Sequence, residues 1–272
     1  MPHIAALYTY PVKSCGGIVH RRLAFDARGP VHDRAWMVVD AAGDFQSLRS
    51  LPALAQVATA LEAGALRLSV PGLPDLRLPL ERPAAPAVPV VVWRDTCDAV
   101  DEGDEAAAWF SQHLGRPVRL VRMADSFRRA VSPRYAPGPA SVGFADAFPA
   151  LVISEASLDD LNRRLAARGQ APVPMARFRP NIVVGGCPPY AENGWRAIQA
   201  GQMTLDLVKP CGRCVATTVE PGTGRVPDPR EPLATLSAYR QRDGAVLFGQ
   251  NAVHRAPGEL AVGDPVAILE TA

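Results

Sequence analysis

Forty-nine of the 272 residues are proline or glycine, 27 and 22 respectively, and they are spread along the whole chain. Proline removes a backbone donor and fixes φ, and glycine favours turns, so few stretches remain long enough for extended helices. A helical bundle is excluded, and short strands joined by tight turns are expected. The chain can still build a core. It is 48% hydrophobic and 21% charged, and a protein of this length buries roughly 70–75% of its unfolded surface. Lys and Arg number 29 against 27 Asp and Glu, a net charge of +2, with no dense basic block. That balance argues against a nucleic-acid partner.

The five cysteines are Cys15, Cys97, Cys187, Cys211 and Cys214. The N-terminus, MPHIAALYTYPVKSC, lacks the basic and apolar regions of a secretory signal. A cytoplasmic location is therefore expected, and the thiols are read as buried, metal-bound or reactive rather than as a disulfide framework. No apolar run is long enough for a membrane span.

Along the chain, IAALYTYPV, RRLAFDARG and RAWMVVDAAGDFQS predict strands, and residues 64–80 predict a hairpin bent at Pro71, Gly72 and Pro74. ERPAAPAVPV (81–90) reads as a proline-rich connector and VVVWRDTCDAV as one further strand. DEGDEAAAWFSQHLG predicts a helix stopped by Gly115. Residues 124–140, with Arg128, Arg129 and Arg134, show no period and read as a mobile basic loop. SEASLDDLNRRLAARG predicts a second helix capped by Ser154, with Asp159–Arg163 and Asp160–Arg164 pairs, and PREPLATLSAYRQRDG a third, short one. FPALVIS, FRPNIVVGG, MTLDLVKP, VATTVEP and the segments from Val246 to the C-terminus read as strands. The pattern is α+β and β-rich, an α+β domain over 1–120 followed by a barrel-like domain over 121–272.

Three groups of residues can carry chemistry. Cys211-Gly212-Arg213-Cys214 is a Cys-x-x-Cys pair. A thioredoxin-type dithiol would lead into a helix, whereas VATTV predicts a strand. Structural zinc would need two more ligands from distant residues. A single thiolate on a soft metal, with Arg213 attracting an anion, and two buried cysteines in a tight turn both stay open. Tyr10-Pro11-Val12-Lys13-Ser14-Cys15-Gly16-Gly17 offers a cation, a hydroxyl and approachable backbone N–H groups, the parts of a phosphate cradle or of an ordinary turn. In Phe178-Arg179-Pro180-Asn181 the proline predicts an extended Arg179 that shares a face with Asn181. His20, His32 and His254 are isolated and read as structural or solvated. No Gly-x-Ser-x-Gly, His-Glu-x-x-His or Gly-x-Gly-x-x-Gly is present.

Taken in order, YPVKSCGG, HDRAWMVVDAAGDFQSLR, FADAFPALVISEASLDDLN, FRPNIVV, KPCGRCVATTVEPGTG and FGQNAVHRAPGELAVGDPVAIL resemble a MOSC protein with an N-terminal MOSC β-barrel domain, over residues 3–270. The resemblance extends to bacterial relatives of the mitochondrial amidoxime-reducing component. It implies two β-rich domains, each barrel-like, with a few peripheral helices, and a molybdenum cofactor (molybdopterin) bound between them. Cys214 falls on the position that ligates molybdenum, and Cys211 lies beside it. Lys13, Ser14, Arg34, Arg179, Asn181, Gly212 and Arg213 fall on positions that hold the pterin and its phosphate. Asp146, on the loop over the metal, is implied both in cofactor binding and as a catalytic candidate.

The activity so implied is reduction of N-hydroxylated compounds such as amidoximes, hydroxylamines and N-hydroxylated bases, with oxygen transferred to molybdenum. Some relatives append an iron-sulphur domain and mitochondrial ones a membrane anchor. Neither pattern is seen in this chain, so the electrons are expected from a separate flavin, haem or iron-sulphur protein, with the chain a monomer away from membranes and nucleic acid. The same resemblance also admits a cofactor carrier or sulphur-transfer module with a persulphide on Cys214, or a binding protein without turnover. Only two of the basic residues are lysine, Lys13 and Lys209, each two positions before a cysteine of these motifs.

Overall fold

The computed structural model describes residues 1–81, 85–136, 138 and 140–271. The fold is α+β and β-rich, with three α-helices among the described residues: α1 (Asp104–Leu114), α2 (Glu155–Ala167) and α3 (Leu233–Arg240). In the C-terminal half, strands Val266–Thr271, Trp195–Ala200, Met203–Arg213, Ala245–His254, Ala150–Ser154 and Ile182–Gly185 pair in that order, and the next neighbour is the N-terminal strand His3–Thr9. Backbone bonds from Ile4 N to Asp264 O (2.9 Å), Gly263 N to Ile4 O (2.8 Å) and Val266 N to Pro2 O (3.0 Å) return this ladder to its start. Ile4, Leu7, Val152, Ile182, Ile198 and Leu205 fill the interior.

The first residues therefore complete the C-terminal sheet, and Arg22–Asp26 likewise pairs with Gly258–Ala261. Between them the chain dips into another core. Val12 and Cys15 pack with Trp36, Leu54, Leu66 and Phe110 in the N-terminal half. That half is built from a four-stranded sheet (Trp36–Val39, Arg119–Met123, Asp95–Asp101, Ala87–Val92) and a three-stranded one (Ala58–Glu62, Ala65–Ser69, Leu76–Pro79). The crossing from one core to the other, residues 10–17, is held on the strand Trp36–Val39: Trp36 N donates to Pro11 O (3.0 Å) and Lys13 N to Trp36 O (2.8 Å). Lys13 and Ser14 are thereby fixed at the junction of the two cores.

The helices follow their end signals. Gly115 caps α1 in the left-handed region (φ 66°). The Ser154 hydroxyl accepts the Ser157 N–H at the start of α2. Both arginines of α2 reach Asp160, Arg163 from three residues on and Arg164 from four, rather than forming two separate pairs.

Three expectations are corrected. VVVWRDTCDAV is a hairpin, in which Val92 pairs with Asp95 across the two-residue turn Trp93-Arg94. Its first strand begins at Ala87, inside the proline-rich segment, of which residues 82–84 lie outside the described residues. VATT is a 3-10 turn, Val215–Thr218, and not a strand, because the Thr217 and Thr218 hydroxyls donate to the Cys214 and Val215 carbonyls (2.9 and 2.8 Å) and so favour a turn. Arg129 does not belong to a solvated basic loop. It is 7% exposed, pairs with Asp95 (2.7 Å) and donates to the carbonyls of Gly143, Ala145 and Asp146. Residues 137 and 139 of that loop lie outside the described residues.

Trp36 is itself held by a buried polar group. Glu102 Oε1 accepts from Trp36 Nε1 (2.7 Å) and Arg122 Nε (2.8 Å), and the Arg122 guanidinium stacks 4.6 Å from the Trp36 ring. Removing one partner of a buried ion pair costs about 3–5 kcal/mol. Glu102→Ala should lose about that much in urea unfolding, and Glu102→Gln less, since an amide oxygen still accepts the indole N–H. Equal losses in the two variants would mean that these hydrogen bonds are not what Glu102 contributes.

Candidate functional site

Between the two cores lies a cleft of about 180 Å³. All nine residues singled out for cofactor binding line it: Lys13, Ser14, Arg34, Asp146, Arg179, Asn181, Gly212, Arg213 and Cys214. The crossing supplies Lys13 and Ser14, the turn before strand Trp36–Val39 supplies Arg34, and the loop clamped by Arg129 supplies Asp146. Arg179 and Asn181 come from the segment before strand Ile182–Gly185, and the remaining three from the end of strand Met203–Arg213. Lys209 is not among the lining residues. Its ammonium lies 5.0 Å from the Tyr135 ring. His20, His32 and His254 are likewise elsewhere; His254 Nε2, for example, is bound to the Asp26 carbonyl (2.6 Å).

The charge in the cleft is one-sided. Lys13, Arg34, Arg49, Arg177, Arg179 and Arg213 line it against a single carboxylate, Asp146, among the described residues. Arg34 stitches the halves together: Nη1 donates to Asp33 and to Asn181 Oδ1 (3.2 Å), and Nη2 to the Arg179 carbonyl (3.0 Å). Arg179 Nη1 returns to the Cys15 carbonyl (2.6 Å), and both guanidiniums lie over the buried Tyr10 ring at 4.4 and 4.2 Å. Burial, and then the nearby Arg34 charge, lower the Arg179 pKa to about 10.

Three guanidiniums remain incompletely paired. Arg177 Nε, Arg179 Nη2 and Arg213 Nε are buried with no hydrogen-bond partner among the described residues. An unmet buried donor costs about 1–3 kcal/mol. The three side chains that carry them line one cleft, and their charge matches a ligand with several anionic oxygens.

The backbone is also strained here. Of seven non-glycine residues with positive φ among the described residues, Ser14 (73°), Arg34 (46°), Trp93 (59°) and Arg179 (55°) line the cleft. For Arg179 this corrects the extended conformation expected before proline. Its N–H donates to the Ala176 carbonyl (3.3 Å) after a 3-10 turn, while its own carbonyl is taken by Arg34.

The two cysteines of the pair differ. Cys211 is half-buried and its sulfur accepts from Arg213 Nη1 (3.0 Å), while Arg213 Nη2 donates to the Phe178 carbonyl (2.6 Å). Cys214 is exposed and opens the 3-10 turn. Arg177, which lies outside the sequence motifs described above, braces that turn by donating Nη1 to the Thr217 and Thr218 carbonyls. Its place two residues before Arg179 was the available signal. No group of three or more His, Cys, Asp or Glu among the described residues could hold a metal ion, so protein ligands would form only part of any metal's coordination here.

Lys13 and Asp146 form the remaining charged pair. Lys13 Nζ donates to Asp146 Oδ1 (2.6 Å) and the Phe144 carbonyl (2.9 Å), and Trp93 Nε1 donates to the same Oδ1 (3.1 Å). The Asp146 side chain is 72% accessible. Crowding raises its pKa, but Lys13 and the indole N–H outweigh this and hold the carboxyl well below the usual range. Burial lowers the pKa of Lys13, and Asp146 opposes that shift. Without Asp146 the Lys13 pKa would fall further below its ordinary 10.5. A lysine with a lowered folded pKa destabilises the fold while it is charged in both states, and the penalty fades as pH rises toward the unfolded value. The stability deficit of Asp146→Asn should therefore be present at neutral pH and shrink as the pH approaches 10.5. A deficit independent of pH would show that Asp146 does not hold the Lys13 proton.

Residues 1–117 match the MOSC N-terminal beta barrel domain and residues 139–267 the MOSC domain. The chain is 36% identical to human mitochondrial amidoxime-reducing component 1, over 98% of this chain and 82% of the relative. It is 32% identical to the molybdenum cofactor sulfurase of Oryza sativa subsp. japonica, over 91% of this chain and 32% of the relative. A solved structure from Bacillus subtilis, the YUAD protein, aligns with a TM-score of 0.43 at 13% identity, over 98% of this chain and 94% of that one. No helix among the described residues is long and apolar enough to cross a membrane.

Proposed function

This chain belongs to the MOSC proteins that carry an N-terminal MOSC β-barrel domain, and on that premise we propose that it is a molybdenum-cofactor-dependent reductase of N-hydroxylated compounds, with electrons supplied by a separate protein. The observation that carries the reading is the cleft itself: six cations, three with a buried and unmet N–H, stand beside an exposed thiol. Those residues fit an anionic pterin dithiolene with a terminal phosphate. Lys13, Arg34, Arg177, Arg179 and Arg213 would balance its charge, and the Cys214 sulfur would be the protein's ligand to the metal. When bound, the cofactor supplies two-electron oxygen-transfer chemistry.

The chain's own residues bind and orient. Conversion of an N–OH group to N–H and water takes up two electrons and two protons. Asp146 is held ionised, so it is not a standing proton donor at neutral pH. Its Oδ1 is engaged by Lys13 and Trp93, and Oδ2 is the oxygen left to accept an N–H of the substrate. Arg213, set by Cys211 and Phe178, orients the anion beside the thiol.

Relative identity of the two cysteines gives the test. With benzamidoxime and a chemical electron donor, Cys214→Ala should reduce turnover at least ~100-fold, and Cys211→Ala, which only loosens Arg213, by about 10-fold. Full activity in Cys214→Ala would overturn the ligand assignment. A gain in mass of one sulfur on Cys214, without turnover by the wild type, would mark a sulphur carrier instead.

A further inference from the structure

The N-terminal half contributes an aromatic wall to the cleft, Phe45 and Trp93, with the exposed Arg49 beside it. Trp93 occupies the first position of its hairpin turn at φ 59°, a place glycine would take without strain. A tryptophan there gives up stability, yet it is 42% exposed, whereas Trp36, Trp109 and Trp195 are 1%, 8% and 8% exposed. Strain at a non-glycine residue in a cleft points to a local task. The indole is held in place. Its N–H donates to Asp146 Oδ1 (3.1 Å), and the Phe45 ring lies 4.9 Å away at a 56° tilt. The Arg49 guanidinium lies 4.1 Å from the ring centroid and pairs with no carboxylate among the described residues. An indole left 42% exposed, with an uncompensated guanidinium stacked over its ring, supplies the π surface and the charge that recognise a flat heterocycle bearing an anion.

We infer that Trp93 and Arg49 set substrate specificity, selecting planar N-hydroxylated heterocycles that carry an anionic substituent such as a phosphate, with the ring against the indole and the anion on Arg49. This inference rests on the reductase reading. Asp146 fits the same pose: the indole fixes one carboxylate oxygen and leaves the other for an N–H at the edge of the heterocycle.

Steady-state kinetics with N-hydroxycytosine, its nucleoside monophosphate and hydroxylamine test it. In the wild type the monophosphate should show a KM about fivefold below that of the free base, and added salt should erode the difference. Arg49→Gln, an exposed substitution, should bring that ratio to about one. Trp93→Leu should raise KM for both heterocycles about tenfold while changing the KM of hydroxylamine far less. Equal KM values for base and monophosphate in the wild type, or a ratio unchanged by Arg49→Gln, would overturn the inference. A titration that needs no turnover separates this failure from failure of the reductase reading. Cytidine monophosphate should quench the exposed indole in the wild type, more weakly in Arg49→Gln, and the quenching should vanish in Trp93→Leu. If no substrate is reduced yet this quenching pattern holds, the binding platform stands and the reductase reading falls. If the substrates are reduced and no quenching occurs, the reverse follows.

Discussion

Cations that cannot neutralise one another, gathered around one cleft, dominate the organisation of this protein. Like charges in a partly dry site repel, and burial raises the cost of each. The protein offsets part of that cost internally. Asp33 meets Arg34, Asp146 meets Lys13, and carbonyls of both halves accept from Arg34, Arg177, Arg179 and Arg213. These bonds join the two cores as well as serving the site: Arg34 reaches the segment before strand Ile182–Gly185, and Arg179 reaches back to the Cys15 carbonyl. What remains unmet is a set of guanidinium N–H groups, a deficit suited to an anionic ligand.

The topology explains how the site can be built from such distant residues. Because the first strand closes the C-terminal ladder, the chain must leave one core and enter the other within residues 10–17. Lys13 and Ser14 therefore fall at the junction by necessity. Arg129, donating to three carbonyls between Gly143 and Asp146, fixes the opposite loop. Left-handed backbone at four residues lining one cleft shows where the fold accepts local strain to aim side chains inward.

The elements read most directly were those whose signals are local: the Gly115 stop, the Ser154 cap and the hairpin bent at Pro71, Gly72 and Pro74. The cleft residues were legible through ordered motifs, and the structure brings all nine together. Features set by tertiary contact were not legible. Nothing local to Trp93 announces a left-handed turn, so a hairpin looked like a single strand. Arg179 before a proline looked extended, because the contacts that impose its conformation come from Arg34 and a preceding 3-10 turn. Arg129 looked solvated because its partners are backbone carbonyls, which a residue pattern does not display. The threonines after Cys214 read as β-formers, whereas their hydroxyls close a turn.

The proposed match between the cleft's charge and a bound molybdenum cofactor can be checked on the purified protein. Elemental analysis of the protein purified from a host that makes the cofactor, combined with pterin fluorescence after oxidation, tests it most directly. Molybdenum and pterin are expected in equal amounts, each approaching the amount of protein, with both sharply reduced in Arg179→Ala. Protein that is folded and free of both, purified from such a host, would contradict it.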